Sequence, residues 1–320
     1  MRAVRVHGGR VEVDEVAVPD RDGNSVRIRV RSAGICGSDL HLIDAGIVEA
    51  AAVTLGHEVA GITDDGTPVA IEPLAPCGVC GPCTDGDYNL CRTGGAMLFG
   101  IGRDGGMADE MWVPARALVP LPAGVDVRDA SLVEPLAVVV HSFRRAAVRP
   151  GQRVAVIGGG AIGLCAVAVG RALGCEVGLA ARHDHQAAAG ERLGAAEVSG
   201  EYDVVIEAAG SESALASAVD LAKPSAQVVI PGIYWGPVAL PGLTMCLKQV
   251  SLCPTTLYGR HAGGRDVDNA AALLATTPTL APTLVTHRFP LEAAREAFEA
   301  AASRSTGAIK VILEPASVQE

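Results

Sequence analysis

Polar and apolar side chains alternate along the first 35 residues of the chain. In residues 26–30, arginines separate valine and isoleucine residues, and a period of two with β-branched residues is typical of strands that bury one face. Turn-forming residues interrupt the alternation at residues 8–9 and 22–24. We therefore expect antiparallel strands joined by tight turns in this part of the chain.

The pattern changes after residue 150, where short apolar runs alternate with helix-length segments. The predicted strands are residues 153–157, 176–180, 203–207, 227–232 and 249–258, with helices at 164–173 and 213–222. This alternation predicts a doubly wound parallel sheet with helices on both faces. The connection 194–203 is too short for the usual crossover helix. Two helices, 270–275 and 291–302, and a strand at 307–313 complete the prediction.

Composition narrows the functional classes. The chain has 320 residues, of which 49% are hydrophobic and 19% charged, which is enough for two domains and argues against disorder. A net charge of −10 argues against a nucleic-acid partner, which normally requires a basic face.

The longest apolar stretch, residues 154–170, contains five glycines, so we expect a strand, turn and helix rather than a membrane span. The start of the chain does not resemble an export signal, so we expect a cytoplasmic protein with reduced cysteines or metal ligands rather than disulfides.

Residues 34–41 carry a concentrated set of reactive side chains at the predicted end of a strand. They include Cys36, Ser38, Asp39 and His41, and His57 follows about twenty residues later beside Glu58. Thiolate and neutral imidazole are ligand types that zinc prefers. A cysteine and a histidine close in sequence also occur by chance in cores, and a His–Glu pair is often a solvated surface pair. The motifs that follow favour a metal site.

The strongest local signal is a cluster of four cysteines. Cys77, Cys80, Cys83 and Cys91 follow a C-x2-C-x2-C-x7-C spacing, with glycine and proline between the first three. Four thiolates close a tetrahedral shell and leave no open position, so we expect a structural zinc. An iron–sulfur cluster also takes four cysteine ligands and stays open as an alternative.

Glu134 precedes Pro135 at a predicted helix start, where proline is well tolerated. A glutamate there can simply complement the helix dipole. The alternative is that its carboxylate faces the metal.

Residues 153–182 carry a dinucleotide-binding signature. Gly158, Gly160 and Gly163 form a GxGxxG fingerprint, with Ala161 and Ile162 between the last two glycines. A predicted strand precedes it and a predicted helix follows, which is the context that the motif requires.

The end of the second strand of this unit should indicate which cofactor is bound. It carries Arg182 and His183 where an acid would hold a ribose 2′-hydroxyl, and cations there suit a 2′-phosphate, so we favour NADP over NAD. Asp184, slightly later, leaves NAD open. Lys310, the lone lysine of the last predicted strand, is a candidate contact for a cofactor phosphate.

These motifs, in this order, resemble the zinc-containing medium-chain alcohol dehydrogenases, most closely the sorbitol and polyol dehydrogenase branch. The resemblance covers nearly the whole chain and also includes the Thr286-His287-Arg288-Phe289-Pro290-Leu291 run. It implies an α/β protein with a mainly antiparallel β, GroES-like catalytic domain and a Rossmann cofactor domain. The expected boundaries are residues 1–134 and 261–320 for the catalytic domain, with a structural-zinc lobe at about 73–95, and residues 135–260 for the Rossmann domain.

The resemblance also implies roles by position. Cys36 and His57 match catalytic zinc ligands, and Glu58 or Glu134 would complete the shell. Asp39 matches an acid that orients the ligand histidine, and Ser38 with His41 matches a proton relay. The glycine fingerprint and Lys310 match cofactor contacts.

The implied activity is hydride transfer between NAD(P) and an alcohol, which could be a polyol, a sugar or a secondary alcohol. Two zinc ions per chain and a homodimer or homotetramer are expected, with no nucleic-acid or membrane partner. A non-catalytic zinc- and dinucleotide-binding protein and a zinc-independent enone or quinone reductase are the alternatives. The chain is shortened at residues 61–66 and 194–203 relative to the family, and the Cys253-Pro254 pair inside a predicted strand has no sequence-level explanation.

Overall fold

A computed structural model describes residues 1–18, 23, 25–94 and 98–315. It divides into two compact units. Unit 1 comprises Met1–Glu134, Gly259–Thr276 and Val285–Glu320, and unit 2 comprises Pro135–Tyr258 and Thr277–Leu284. Relative to the predicted boundaries, unit 1 resumes at residue 259 rather than 261, and unit 2 includes residues 277–284. The reason is packing, since the short helix in this segment contacts helices of unit 2.

The described residues form the following strands and helices. The strands are β1 Arg2–His7, β2 Arg10–Glu15, β3 Ser25–Ile35, β4 Glu58–Thr63, β5 Pro68–Ile71, β6 Glu110–Pro114, β7 Leu118–Pro120, β8 Arg153–Ile157, β9 Glu176–Ala180, β10 Ala196–Glu197, β11 Tyr202–Glu207, β12 Ala222–Ile230, β13 Ser251–Pro254, β14 Arg260–His261, β15 Gly264–Arg265, β16 Val285–Pro290 and β17 Lys310–Glu314. The helices are α1 Gly37–Asp44, α2 Ile47–Ala51, α3 Gly81–Asp85, α4 Val133–Arg145, α5 Ala161–Ala172, α6 Asp184–Arg192, α7 Glu212–Leu221, α8 Gly242–Lys248, α9 Asp266–Thr276, α10 Leu280–Leu284 and α11 Ala294–Ala302.

Unit 1 is built on a seven-stranded, mainly antiparallel sheet. Its strand order is β16-β17-β3-β4-β5-β7, and β6 also pairs with β3. The alternation predicted at the start of the chain is confirmed by the β1–β2 hairpin, whose turn uses Gly8 and Gly9 at positive φ. The second predicted turn, at residues 22–24, lies outside the described residues except for Gly23. Strands β3 and β4 bury apolar residues such as Ile28, Val30 and Val59 in one core.

Unit 2 contains a six-stranded parallel sheet with the order β10-β9-β8-β11-β12-β13. The chain extends the sheet first in one direction from β8 and then in the other from β11, so the order reverses between these two strands. This is the doubly wound arrangement predicted from the alternating pattern, and such sheets bind ligands outside the carboxyl ends of the strands at the reversal. Apolar residues of β11, α7 and β12 form a core on this sheet.

Two sequence irregularities in unit 2 have structural explanations. The short 194–203 connection contains only the two-residue strand β10 before β11 begins, so the predicted loss of a crossover helix is confirmed. The predicted strand 249–258 is shorter than expected, because β13 covers only Ser251–Pro254. It lies at the end of the strand order and pairs with β12 alone among the described strands, and proline is tolerated on such an edge because its missing N–H breaks no ladder bond. No helix in the described part of the chain is long and apolar enough to cross a bilayer.

Candidate metal and cofactor sites

Antiparallel pairing of β3 with β4 brings the first group of ligand residues together. Gly34 on β3 lies opposite Glu58 on β4, and β3 ends at Ile35, so Cys36 becomes the residue before helix α1. His57 immediately precedes β4. One donor atom from each of Cys36, His57 and Glu58 lies within 4.8 Å of the other two. We call these three residues the trio.

Asp39 links the start of helix α1 to the trio. It is fully buried, and its Oδ2 accepts a hydrogen bond of 2.9 Å from the backbone N–H of Cys36. Its Oδ1 lies 3.2 Å from Nδ1 of His57, which leaves Nε2 of the ring toward Cys36 and Ser38. Burial acts to lower the pKa of His57, but Asp39 and Cys36 raise it well above its ordinary value. The site therefore favours positive charge, which fits a bound cation.

Ser38 and His41 lie on α1, three residues apart and so on the same side of the helix. The Ser38 hydroxyl is 3.4 Å from Nε2 of His57. Ser38 is half-buried, whereas His41 is exposed to solvent. A hydroxyl next to the trio is thus followed along one helix by an imidazole that reaches water.

Lys310 forms a buried ion pair that the sequence did not predict. Its ammonium is 3% exposed and donates to both carboxylate oxygens of Glu58, at 2.7 and 2.6 Å. It also donates to the carbonyl of Ile35 at 3.2 Å. Lys310 thus forms a buried ion pair with a trio residue, and its contact with a cofactor phosphate stays a prediction. The cause of the ion pair is the pairing of β17 with β3, which aligns Val311 with Ile35.

A glycine makes room for this ion pair. A Cβ on Gly34 would lie 2.1 Å from Oε2 of Glu58, so any larger residue would displace the carboxylate. Gly34, which the sequence shows only as part of the motif, is thus needed for the position of the Glu58 side chain.

Glu134 lies in the first turn of α4 and is 6% exposed. Its carboxylate is not part of the group of donor atoms that lie within 4.8 Å of one another. Geometry therefore associates Glu58, rather than Glu134, with Cys36 and His57 in this structure.

The four cysteines converge in a second group. The sulfur atoms of Cys80 and Cys83 are 3.4 Å apart, those of Cys77 and Cys83 are 3.8 Å apart, and those of Cys80 and Cys91 are 3.9 Å apart. Zn–S bonds of about 2.3 Å in a tetrahedron place the sulfur atoms about 3.8 Å apart. An iron–sulfur cluster distributes its four thiolates over two or four irons, so several of its sulfur–sulfur distances are longer. The spacing fits one zinc ion.

The protonation of these thiols also fits a cation. The backbone N–H of Cys77, together with Thr93, lowers the pKa of Cys91 to about 5. Burial and the neighbouring Cys80 raise the pKa of Cys83 to about 12. A bound metal ion would supply the positive charge that stabilises all four sulfurs as thiolates.

Residues outside the motif anchor the cysteine lobe, which we define as residues 73–94. Tyr88 is buried within it and donates a hydrogen bond to the carboxylate of Glu72. Arg265 donates to the other oxygen of Glu72 at 3.0 Å and to the carbonyl of Leu118 at 2.9 Å. Sequence reasoning missed this network. The only signal of the network in the sequence is Glu72, a glutamate directly after the apolar strand β5.

The glycine turn of unit 2 connects β8 to α5. Gly158 has a φ of +106°, and a Cβ on Gly163 would lie 1.8 Å from the carbonyl oxygen of Gly158. Gly160 caps the helix, and no atom lies within 4 Å of the position that its Cβ would occupy. Ala161 and Ile162 form the first turn of α5 and are half-buried. Backbone N–H groups at this helix start are thus accessible to an anion.

Arg182 and His183 follow β9, as predicted, and His183 caps helix α6. Arg182 is exposed and His183 is half-buried. Asp184, the alternative ribose partner, is the first residue of α6 and is exposed. The His183 ring stacks on that of His185, with the ring centroids 5.4 Å apart.

Comparisons with known proteins agree with both units. Residues 22–123 match the family described as "Alcohol dehydrogenase GroES-like domain", and residues 161–276 match that described as "Zinc-binding dehydrogenase". The chain is 32% identical to sorbitol dehydrogenase of Halalkalibacterium halodurans, over 97% of each chain.

Solved structures show the same similarity. Galactitol-1-phosphate dehydrogenase from Escherichia coli is 28% identical, with a TM-score of 0.88 over 98% of this chain and 100% of the other. A zinc-binding dehydrogenase from Sinorhizobium meliloti 1021, bound to NADP, is 28% identical with a TM-score of 0.85 over 98% and 99% of the two chains. The predicted fold and the predicted enzyme class are confirmed. The chain belongs to the zinc-dependent medium-chain alcohol dehydrogenase family, and it is an oxidoreductase.

Proposed function

We propose that this enzyme transfers hydride between NADP and the carbinol carbon of a polyol, a sugar or a simple secondary alcohol. The observation that carries the proposal is the convergence of Cys36, His57 and Glu58 within 4.8 Å of one another, beside the hydroxyl of Ser38. Relatives named for sorbitol and for L-galactonate support a polyhydroxylated substrate.

The trio would hold a catalytic zinc, with Glu58 in preference to Glu134 as its carboxylate ligand. A bound zinc supplies Lewis acidity that lowers the pKa of an alcohol, and a bound nicotinamide supplies the hydride acceptor. Asp39 fixes the orientation of the His57 ring, since its two oxygens contact Nδ1 of His57 and the backbone N–H of Cys36.

Ser38 and His41 would carry the proton that an alcohol loses on oxidation. The Ser38 hydroxyl can accept a proton from the substrate oxygen and donate its own onward. His41 lies one turn farther along α1 and is exposed, so its imidazole can exchange the proton with solvent. In the reverse direction the same groups deliver a proton to the carbonyl oxygen.

The preference for NADP rests on Arg182 and His183 at the carboxyl end of β9. Neither is an acid, and a carboxylate at this place in a dinucleotide fold holds a ribose 2′-hydroxyl. A guanidinium at the same place suits a 2′-phosphate. The NADP-bound relative is consistent with this choice, whereas Asp184 is the residue through which NAD would be held.

A second zinc would bind Cys77, Cys80, Cys83 and Cys91. The sulfur–sulfur distances of 3.4–3.9 Å match one tetrahedral ion, and four thiolates leave no open coordination position. This ion would therefore be structural and would take no part in the reaction.

The proposal includes a homodimer or homotetramer, formed through the apolar face next to β13. Residues 233–247 contain no charged residue, yet Leu243 and Leu247 on α8 are 75% and 76% exposed. An uncharged apolar face beside a sheet edge is complementary to a copy of itself. Leu243→Glu should shift the mass measured by light scattering to that of a monomer, and an unchanged mass would contradict the use of this face.

Zinc analysis combined with turnover assays tests the function as a whole. We expect two zinc ions per chain and oxidation of polyols, sugars or secondary alcohols that is faster with NADP than with NAD. A clear preference for NAD would contradict the assignment of Arg182 and His183. Absence of turnover across the alcohol panel with both cofactors would contradict the proposed reaction.

A further inference from the structure

Glu207 is a fully buried carboxylate at the carboxyl end of β11. Its Oε1 accepts hydrogen bonds of 2.9 Å from the backbone N–H groups of Ala209 and Gly210. Its Oε2 accepts a hydrogen bond of 2.6 Å from the hydroxyl of Tyr234. A buried carboxylate is costly unless it is paired, and these three donors satisfy it. None of the metal or cofactor motifs includes this residue.

The carboxylate joins two turns that follow neighbouring strands. Residues 208–210 follow β11, and residues 231–234 follow β12. The backbone adds two contacts, because the N–H of Ala208 donates to the carbonyl of Ile157 at 2.9 Å and that of Gly232 donates to the carbonyl of Glu207 at 3.2 Å. The first of these ties the 208–210 turn to the end of β8.

The packing between these turns is close. A Cβ on Gly210 would lie 2.7 Å from the carbonyl oxygen of Ile233, and one on Gly232 would lie 2.8 Å from Oε2 of Glu207. Gly158 of the dinucleotide turn also approaches Ala209, since a Cβ on it would lie 3.1 Å from the Ala209 nitrogen. The dinucleotide turn therefore contacts the 208–210 turn, which in turn contacts the 231–234 turn. The Glu207 side chain holds the 208–210 and 231–234 turns together.

This place in the sheet is where a dinucleotide is bound. The strand order reverses between β8 and β11, and doubly wound sheets bind ligands outside the carboxyl ends of the strands at the reversal. Ile233 and Trp235, on either side of Tyr234, are 55% and 49% exposed. The Tyr234 side chain thus holds the segment after β12 near the sheet, while the side chains of Ile233 and Trp235 face outward.

We propose that Glu207 and Tyr234 are positioning residues for the cofactor, because their hydrogen bonds fix the 208–210 and 231–234 turns in the shape that the dinucleotide meets. This inference rests on the proposed NADP-dependent function. Burial and the nearby carboxylate raise the pKa of Tyr234 above its ordinary value, so the phenol stays a donor throughout the working range of an enzyme.

The most direct test removes one hydroxyl. Tyr234→Phe should raise the Kd for NADPH, measured by fluorescence titration of the zinc-loaded enzyme, by about three- to tenfold, which corresponds to the worth of a typical intramolecular hydrogen bond. The matched control is Tyr202→Phe, because the Tyr202 hydroxyl accepts from the Ser199 N–H at 2.9 Å at the amino end of the same strand. The control should leave the Kd within twofold of wild type.

Variants of Glu207 distinguish positioning from general stability. A glutamine at this position can accept from both backbone N–H groups and donate to the phenol oxygen, so Glu207→Gln should retain NADPH binding within about threefold. Glu207→Ala leaves three donors unpaired and should lose at least tenfold in affinity. If Glu207→Ala fails to fold, the Tyr234→Phe and Glu207→Gln results decide the question on their own.

The outcomes separate this inference from the proposed function. Wild type that binds neither NADPH nor NADH would contradict the proposed function itself. Wild type that binds NADPH, with Tyr234→Phe binding equally well or with Tyr202→Phe weakened as much, would contradict only the positioning role. Loss of binding in Glu207→Gln as large as in Glu207→Ala would show that charge, and not the hydrogen-bonded shape, matters.

Discussion

Cys36 follows the end of β3 and His57 and Glu58 lie at the start of β4, whereas the four cysteines all lie within the short segment 77–91. The first group is set by the register of β3 against β4, with Gly34 opposite Glu58. The second contains the five-residue helix α3, which buries none of its residues, and a 3-10 turn at Tyr88–Leu90. Long-range pairing orders one site, and local chain geometry orders the other.

The two groups also differ in how the protein compensates their charges. The trio has its own counter-charge in the protein, because Lys310 pairs with Glu58 and Asp39 contacts His57. The cysteine group has thiols and a few backbone N–H groups around it. We therefore expect the trio to keep its shape without an ion and the cysteine lobe to depend on one. Each prediction below tests this difference.

Replacement of a lobe cysteine should have the largest effect. Structural zinc contributes an apparent binding free energy of about 10–16 kcal/mol in small zinc domains, so Cys83→Ser should release that ion and disorder residues 77–94. Zinc content should fall from two to one per chain, and trypsin should then cleave after Arg92, which lies in the lobe. The exposed Cys246 provides the control, since Cys246→Ser should change neither measurement. An intact lobe in Cys83→Ser without its zinc would contradict the dependence on the ion.

Cys36→Ser should remove turnover and leave the fold intact. Loss of the catalytic ion costs several kcal/mol of transition-state stabilisation, or about a thousandfold in kcat. The sheet around the trio should persist, so the melting temperature should stay within about 4 °C of wild type, in contrast to the lobe variant. Zinc content should again fall by one. Normal activity in a Cys36→Ser enzyme that lacks this zinc would refute the metal-dependent mechanism.

Local signals in the sequence were enough for much of the fold. Strands β8 and β9 have the predicted bounds because short apolar runs and a glycine fingerprint lie next to each other. The ligand types of both metal groups were equally visible in their spacing. Sequence reasoning did not identify the Lys310–Glu58 ion pair, because the two residues are 252 positions apart and their contact depends on the β17–β3 register. Glu207 was seen only as the end of a strand, since its three donors come from turns whose shapes no local pattern specifies.

Lys310→Met should destabilise the metal-free protein strongly. It leaves Glu58, which is fully buried, as an uncompensated charge, and such losses cost about 3–5 kcal/mol. A zinc ion at the trio would compensate the carboxylate, so the loss in free energy of unfolding should be smaller in the zinc-loaded enzyme. Urea unfolding with and without chelator measures both values.

Lys223→Met provides the matched control for Lys310→Met. Lys223 pairs with Asp203 at 2.8 Å, but the two side chains are 41% and 31% exposed, so its removal should cost at most about 1 kcal/mol. Equal losses for Lys310→Met with and without zinc would contradict the placement of Glu58 beside the ion. A loss no larger than that of the control would contradict the buried pair itself.

Tyr88→Phe should have the smallest effect and should act on the lobe alone. Its hydroxyl donates to Glu72, which Arg265 also contacts, so the variant loses one hydrogen bond, worth about 1 kcal/mol. We expect zinc to leave the cysteine site about fivefold faster, as followed with a coloured chelator, and the trio zinc to leave at its normal rate. Because the trio is held by its sheet and the lobe by its ion and this tether, faster release from both sites would contradict the separation of the two regions.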